Sequence, residues 1–113
     1  MIEIIIKNYL AEKLSVPVVL EVPADPPKSF ALLEKTGSSR EEHIDRAMLA
    51  IQSYAPSMYE AARLNERVKA AMDSAAELDA VSASRLNSDY NFTDTTTKRY
   101  RYQAVYDLVY FNE

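Results

Sequence analysis

The chain's one histidine lies in a short run of acidic residues. His43 follows Glu41 and Glu42 and stands two positions before Asp45. Carboxylates beside an imidazole can support acid–base catalysis or bind a metal, provided that they converge in a cleft shielded from water. No metal-ligand spacing is present, because the chain has no cysteine and no second histidine. We interpret the run as a solvated loop, and the sequence predicts no catalytic residue, no metal site and no cofactor.

A second group that could do chemistry is the basic cluster Lys98, Arg99 and Arg101, which follows three threonines. Such side chains can contact phosphates, and the tyrosines of the following segment could stack on bases. The formal net charge of −4 disfavours a nucleic-acid binder. We expect these cations to protect a strand edge or to pair with acids on a neighbour.

The composition is that of one folded domain spanning residues 1–113, with 48% apolar and 27% charged residues. A single glycine, Gly37, argues against a glycine-rich phosphate loop. The absence of cysteine is compatible with a reducing cytosol. The apolar start, Met1–Lys7, is too short to span a bilayer and lacks the features of a signal peptide, so we expect no membrane association.

The final segment, Arg99–Phe111, is the most informative stretch. Its alternation of β-branched and aromatic residues predicts a long strand. One face would carry Tyr100, Tyr102, Ala104, Tyr106, Leu108 and Tyr110, and the other Arg101, Gln103, Val105, Asp107, Val109 and Phe111. A domain this small can cover one sheet face with its own helices, but hardly two. We therefore expect the second face, or an open edge beside it, to contact another copy or a partner.

The rest of the chain predicts an α+β fold, a mostly antiparallel sheet of about four strands with two main helices packed on one face. The segment 43–54 is predicted as a strand, with a helix as the alternative. A capping box at Ser57–Glu60 should begin the second helix. In chain order we predict a helix at 2–14, strands at 15–22 and 29–36, a polar turn at 37–42, the strand at 43–54, a helix to about 74, a weak strand at 78–86 and a turn-rich segment at 87–98. A strand is the alternative for the first few residues, because the run Ile4–Ile6 lowers helix propensity.

Several short strings resemble the small neck proteins of long-tailed bacteriophages. They are Val16-Pro-Val-Val-Leu-Glu-Val-Pro23, Pro26-Pro-Lys-Ser-Phe30, Leu33-Glu-Lys-Thr-Gly37, Tyr54-Ala55, Tyr59-Glu-Ala-Ala-Arg-Leu64 and Arg101-Tyr-Gln103. The likeness spans nearly the whole chain. It departs from the family pattern at Gly37-Ser38, where such proteins often have two glycines.

This resemblance implies a tail terminator or tail completion protein of a phage or prophage. Such proteins close into a ring, commonly a hexamer, on the head-proximal end of the tail tube. The ring stops tube polymerisation and joins the head connector. The implied partners are further copies of the chain, the major tail tube protein and a head-completion protein, with DNA passing through the lumen without specific binding. The implied location is the virion neck, after assembly in the host cytoplasm.

Two groups of residues are predicted to make these contacts. The strand group should supply the subunit or partner interface, and the loop group should face the lumen or the next ring, where Glu41 and Glu42 would repel DNA phosphates. The strand group is Arg99, Arg101, Tyr102, Gln103, Val105, Val109 and Phe111. The loop group is Gly37, Arg40, Glu41, Glu42 and His43.

Three other functions stay open at the level of sequence. A head-completion adaptor of the phage neck would use a similar docking surface. A soluble binding module of cellular origin would need no ring. An enzyme built on the acidic run around His43 is disfavoured, because no ligand spacing supports it.

Overall fold

Two helices lie on one face of a five-stranded sheet in the computed structural model, which describes residues 1–111. The elements are α1 (Ile2–Lys13), β1 (Val18–Val19), β2 (Phe30–Glu41), β3 (Ile44–Tyr54), α2 (Met58–Asp73), β4 (Val81–Asn91) and β5 (Arg101–Tyr110). The strand order is β1-β2-β3-β5-β4; β1 pairs parallel with β2, and the other pairs are antiparallel. The predicted α+β class is confirmed, with five strands rather than four. Neither α1 nor α2 is long and apolar enough to cross a membrane.

The core is an apolar layer between the two helices and one sheet face. In α1, Ile2, Ile6, Tyr9 and Leu10 are buried at helical spacing. In α2, the buried apolar stripe consists of Ala61, Leu64, Val68, Ala71 and Met72. Strands β2, β3 and β5 contribute the facing side chains Ala31, Leu33, Leu49, Ile51, Ala104, Tyr106 and Leu108. This layer holds both helices on the same face.

Helix α2 begins at the predicted N-cap. The Ser57 hydroxyl accepts a hydrogen bond from the Glu60 backbone N–H at 3.2 Å. The same hydroxyl donates to the Glu60 carboxylate at 3.1 Å. The carboxylate therefore meets the Ser57 side chain, whereas a full capping box would place it on the Ser57 backbone N–H.

The predicted polar turn at 37–42 is wrong in extent. Strand β2 continues to Glu41 and pairs in register with β3, so that Arg40 opposes Asp45 and Glu41 opposes Ile44. A bulge between Lys35 and Gly37 interrupts the alternation. Strand pairing depends on hydrogen bonds between backbone groups, which polar side chains do not prevent. Residues 37–41 can therefore form a strand although their side chains show no apolar alternation.

The two outer strands also differ from the prediction. The strand predicted at 15–22 shrinks to Val18–Val19, and Leu20 and Val22 are exposed. Strand β4 starts later and extends to Asn91, into the segment predicted as turns. Its two bulges, at 81–83 and 86–88, break the two-residue period, which is why the pattern looked weak.

A buried phenol ties β5 to α2. The Tyr106 hydroxyl donates to Asp73 Oδ1 at 2.7 Å, and the residue is fully buried. Burial, together with the hydrogen bond to and the charge of Asp73, raises the pKa of Tyr106 well above its ordinary value of 10.0. The folded protein thus favours the neutral phenol. This contribution to stability is complete below pH 10 and is lost as the pH rises through the raised pKa.

We expect Tyr106→Phe to lower the free energy of unfolding by about 1 kcal/mol near neutral pH, because a buried hydrogen bond is lost. The difference from the wild type should narrow above pH 10, since the variant lacks the phenol that ionises on unfolding. Urea unfolding at several pH values measures this. Tyr59→Phe, at an exposed tyrosine, serves as the control and should leave the pH profile unchanged. A difference that stays constant with pH would contradict the assignment.

The β2–β3 hairpin has a tight two-residue turn at its tip. Glu42 and His43 adopt φ values of 51° and 69°, which lie in the left-handed region. Two-residue hairpin turns require such angles and favour Asn-Gly, because side chains with a bulky Cβ substituent are strained there.

We expect the double variant Glu42→Asn/His43→Gly to raise the free energy of unfolding by about 1–2 kcal/mol, since it relieves this strain. Chemical denaturation measures the free energy of unfolding of the double variant and of the control Glu42→Gln. The control removes the same charge without relieving the strain, so the difference between the two variants reports the backbone strain alone. Equal stability of the two variants would show that the turn is not strained.

Candidate interaction surface

The second face of the sheet carries no helix from residues 1–111. The register of the strands sets Val109 beside Arg46 and Ala83, and Asp107 beside Met48 and Arg85. All of these side chains point away from the apolar core layer, because direct partners across a sheet share a face. We call this surface the uncovered face.

The half of the uncovered face near the hairpin is partly apolar. Met48 is 38% exposed, and Val105 and Val109 are half-buried. A shallow, open depression of about 360 Å³ lies here, with Gly37 and Ser39 on one side and Val109 on the other. A Cβ at Gly37 would meet no atom within 4 Å, so the depression has free space beside β2. This strip is suited to contact with another protein surface.

The other half carries a hydrogen-bonded network across three strands. Arg101 donates to the Tyr54 hydroxyl at 2.7 Å, and Tyr54 donates to Gln52 Oε1 at 2.9 Å. Gln52 Nε2 then donates to Gln103 Oε1 at 3.0 Å, and Gln103 donates to the Tyr90 hydroxyl. Because each polar group has a partner, the network can hold side chains rigid on a surface without a helical cover.

Aromatic rings reinforce the end of this network. Phe30 stacks on Tyr54 with centroids 4.5 Å apart and planes at 7°. The Arg101 guanidinium lies 4.4 Å from the centre of the Phe92 ring, and its Nε donates to the Phe92 carbonyl at 2.6 Å. Arg99 and Arg101 each lie 5.6 Å from the centre of the Tyr54 ring. Cation–π contacts of this kind stabilise the arginines over the sheet.

Both edges of the sheet are open over much of their length. Strand β1 pairs only with Ala31 and Leu32 of β2. The outer edge of β2 from residue 34 to residue 41, opposite β3, therefore has no strand neighbour among residues 1–111. On the other side β4 pairs only with β5. Open edges offer backbone hydrogen-bonding groups to another chain, although the bulges of β4 disfavour regular pairing there.

Five of the seven predicted interface residues lie on β5, and they divide between its two faces. Arg101, Gln103, Val105 and Val109 lie together on the uncovered face, where the alternation of β5 predicted them. Tyr102 is on the opposite face, beside Ser53 and Asn91.

The remaining two residues of that group lie outside β5. Arg99 precedes β5 and forms an isolated bridge with Asp94. Phe111 follows it and, with Met1 and Ile5, lines a separate depression. Their role in an interface stays a prediction.

The predicted loop group is a strand end and a turn. Gly37, Arg40 and Glu41 belong to β2, and the turn itself is Glu42 and His43. Arg40 clamps the nearly buried Asp45 through Nε–Oδ1 and Nη2–Oδ2 contacts of 2.6 and 3.3 Å. Asp45 therefore points to the covered side, away from the exposed tip. The lumen-facing role of this group stays a prediction.

The acidic run does not form a shared cleft. Residues 1–111 contain no group of three or more histidine, cysteine, aspartate or glutamate side chains placed to hold a metal. Asp45 is engaged by Arg40, whereas Glu41, Glu42 and His43 are exposed at the tip.

Sequence reasoning missed the partners of β5 on the uncovered face. The sequence places Gln52 and Tyr54 in the strand at 43–54, and it predicts Tyr90 only as an anchor of the turn-rich segment to the body of the domain. The available signal was Gln52 within an otherwise apolar part of the strand at 43–54, since a polar residue there needs a partner. The partner could not be named without the pairing of β3 with β5.

No protein-family model matches this chain, and no curated protein matches its sequence significantly.

We expect Arg101→Ala to lower the free energy of unfolding by about 1–3 kcal/mol, because it leaves the Tyr54 hydroxyl and the Phe92 carbonyl without their donor. Arg99→Ala is the control for the Tyr54 ring contact, which both arginines make at 5.6 Å, and it should change stability by less than about 0.5 kcal/mol. Thermal and urea unfolding of both variants measure the effect. Equal losses would mean that the network contributes nothing beyond the ring contacts.

Proposed function

We propose that this chain is a structural, ring-forming protein of the neck of a long-tailed phage or prophage, and specifically a tail terminator. The observation that carries the proposal is the sheet with helices on one face and a partly apolar strip on the other. A contact that buries Met48, Val105 and Val109 would remove exposed apolar area that the chain's own helices do not cover.

The order of the elements supports this proposal. A helix, a short strand, a proline-rich connection, a hairpin, a helix and two further strands follow one another here. The resemblance implies this order except for β4 and for a strand ending at Thr36-Gly37, which β2 passes to reach Glu41. The network beside Gln103 would keep the surface rigid between subunits. Rigidity favours a ring, because a closed ring needs the same rotation at every contact.

The proposed role needs no chemistry at a catalytic centre. Each subunit would contact the next head-to-tail through the uncovered face and an open edge, and the ring would close where the rotation closes. One rim would cap the major tail tube protein, and the other would meet the head-completion protein. DNA would pass through the lumen without specific binding.

The test is tail capping by a variant of the uncovered face. Met48→Lys places a charge in the proposed contact, and we expect it to weaken capping by at least about tenfold, because burying an unpaired charge costs more than about 1.4 kcal/mol. Ile4→Lys is the matched control, since Ile4 on α1 is 40% exposed and Met48 is 38% exposed. Tail lengths in the electron microscope are the measurement, with circular dichroism to show that both variants fold.

Three outcomes would speak against the proposal. Full capping by Met48→Lys would remove the uncovered face from the contact. Binding of the wild type to filled heads but not to isolated tails would make it a head-completion adaptor. Binding to neither would favour a binding module without a role in the virion.

A further inference from the structure

A basic pocket lies at the end of the sheet where β2 begins. Lys28, Lys98 and Arg99 line it, with Pro26 and Pro56 among its walls, and its volume is about 210 Å³. The three cations come from two connections that are about seventy positions apart in the sequence. The fold therefore gathers positive charge in one place on a chain whose formal net charge is −4.

These cations lack acidic partners within the described chain. Among residues 1–111, neither Lys28, Lys98 nor Arg99 forms an ion pair within 4.0 Å. Asp94, four positions before Lys98, already accepts backbone N–H bonds from Thr96 and Thr97. The Thr97 side chain, together with these backbone bonds, lowers the pKa of Asp94. A concave site with uncompensated positive charge attracts an anionic group.

The chain itself carries a complementary surface at the opposite end of the same strands. Glu41 and Glu42 are exposed at the tip of the β2–β3 hairpin, while Phe30 and Tyr54 mark the pocket end. The molecule is 44 Å long and about 25 Å wide, so the tip cannot reach its own pocket. The tight turn makes the tip narrow, and strained backbone of this kind is often retained where it serves a contact.

We propose that the hairpin tip of one copy enters the basic pocket of a second copy, with the Glu41 and Glu42 carboxylates meeting Lys98 and Arg99. This inference deepens the proposed ring by naming a subunit contact, and it places the tip against a neighbour rather than in the lumen. The two surfaces differ, so the contact is head-to-tail and can repeat from copy to copy.

A protein carboxylate suits the pocket better than a nucleic acid does. Base stacking needs a free aromatic face. The Tyr54 ring in the pocket wall has Phe30 against one face and both Arg99 and Arg101 near it, so this ring is already occupied. The acidic chain would also repel a polyphosphate outside the pocket.

Cysteine cross-linking tests the contact directly, because the natural chain has no cysteine. At high protein concentration and low salt, oxidised Glu42→Cys/Lys98→Cys should give a ladder of covalent oligomers. Glu42→Cys/Glu12→Cys, with the second cysteine on the exposed side of α1, should give at most dimers. Salt at about 0.5 M should suppress the ladder, because it screens exposed charges. A ladder of equal yield in the control, or none in either, overturns the proposal.

Charge reversal provides an independent measurement. Sedimentation should show self-association at least about tenfold weaker in Glu41→Lys/Glu42→Lys and in Lys98→Glu/Arg99→Glu, because like charges then meet. The combined fourfold variant should recover it, since the pairing is restored with reversed sign. If the fourfold variant self-associates as weakly as the two double variants, the contact is overturned. Circular dichroism checks that all three variants are folded.

The tests separate this inference from the proposed function. Tail capping by variants that do not cross-link would reject the tip contact and leave the terminator role standing. Cross-linking by a protein that binds neither tails nor heads would support the contact and reject the phage role. Retention of the wild type on immobilised DNA, lost in Lys98→Glu/Arg99→Glu, would instead assign the pocket to nucleic acid and overturn the proposal.

Discussion

The apolar layer between the helices and one face of the sheet is the interaction on which the rest of the structure depends. It is built from the stripes of α1 and α2 and from every second residue of β2, β3 and β5. Burial of apolar area is the main force that holds such layers together. Because both helices are used on one side, the other side has no helix over it within residues 1–111. Phe30, Leu32 and Tyr54 are buried there in a small cluster of their own, whereas the half near the hairpin stays partly exposed. The candidate surface is thus a direct consequence of how the core is made.

The uncovered face combines a polar half with a partly apolar half. A continuous apolar face would aggregate, whereas a fully polar one would give little energy to a contact. Here a network centred on Gln52 and Gln103 satisfies polar groups over one half, and Met48 with Val109 keeps the other half partly apolar. Interfaces between proteins combine these same features, an apolar centre with a polar surround.

Exposed charges of opposite sign lie at the two ends of the long strands. Cations gather at the end of the sheet near Tyr54, and exposed carboxylates lie at the hairpin tip. Local pairing uses up some charges, as Arg40 and Asp45 show at the base of the tip. Glu41 and Glu42 thus lie at one end of the strands and Lys98 and Arg99 at the other, and the head-to-tail contact proposed above rests on this separation.

The sequence by itself determined the helices and β5, because their apolar periods are unbroken and each period follows from local backbone geometry. It did not reveal the length of β2, whose ladder depends on backbone pairing with β3, or that of β4, whose bulges disturb the alternation. Only the tertiary structure decided which side chains meet. Lys28 and Arg99 line the same pocket, and Gln52 donates a hydrogen bond to Gln103, because the strand order brings distant segments together. No local pattern in the sequence encodes that order.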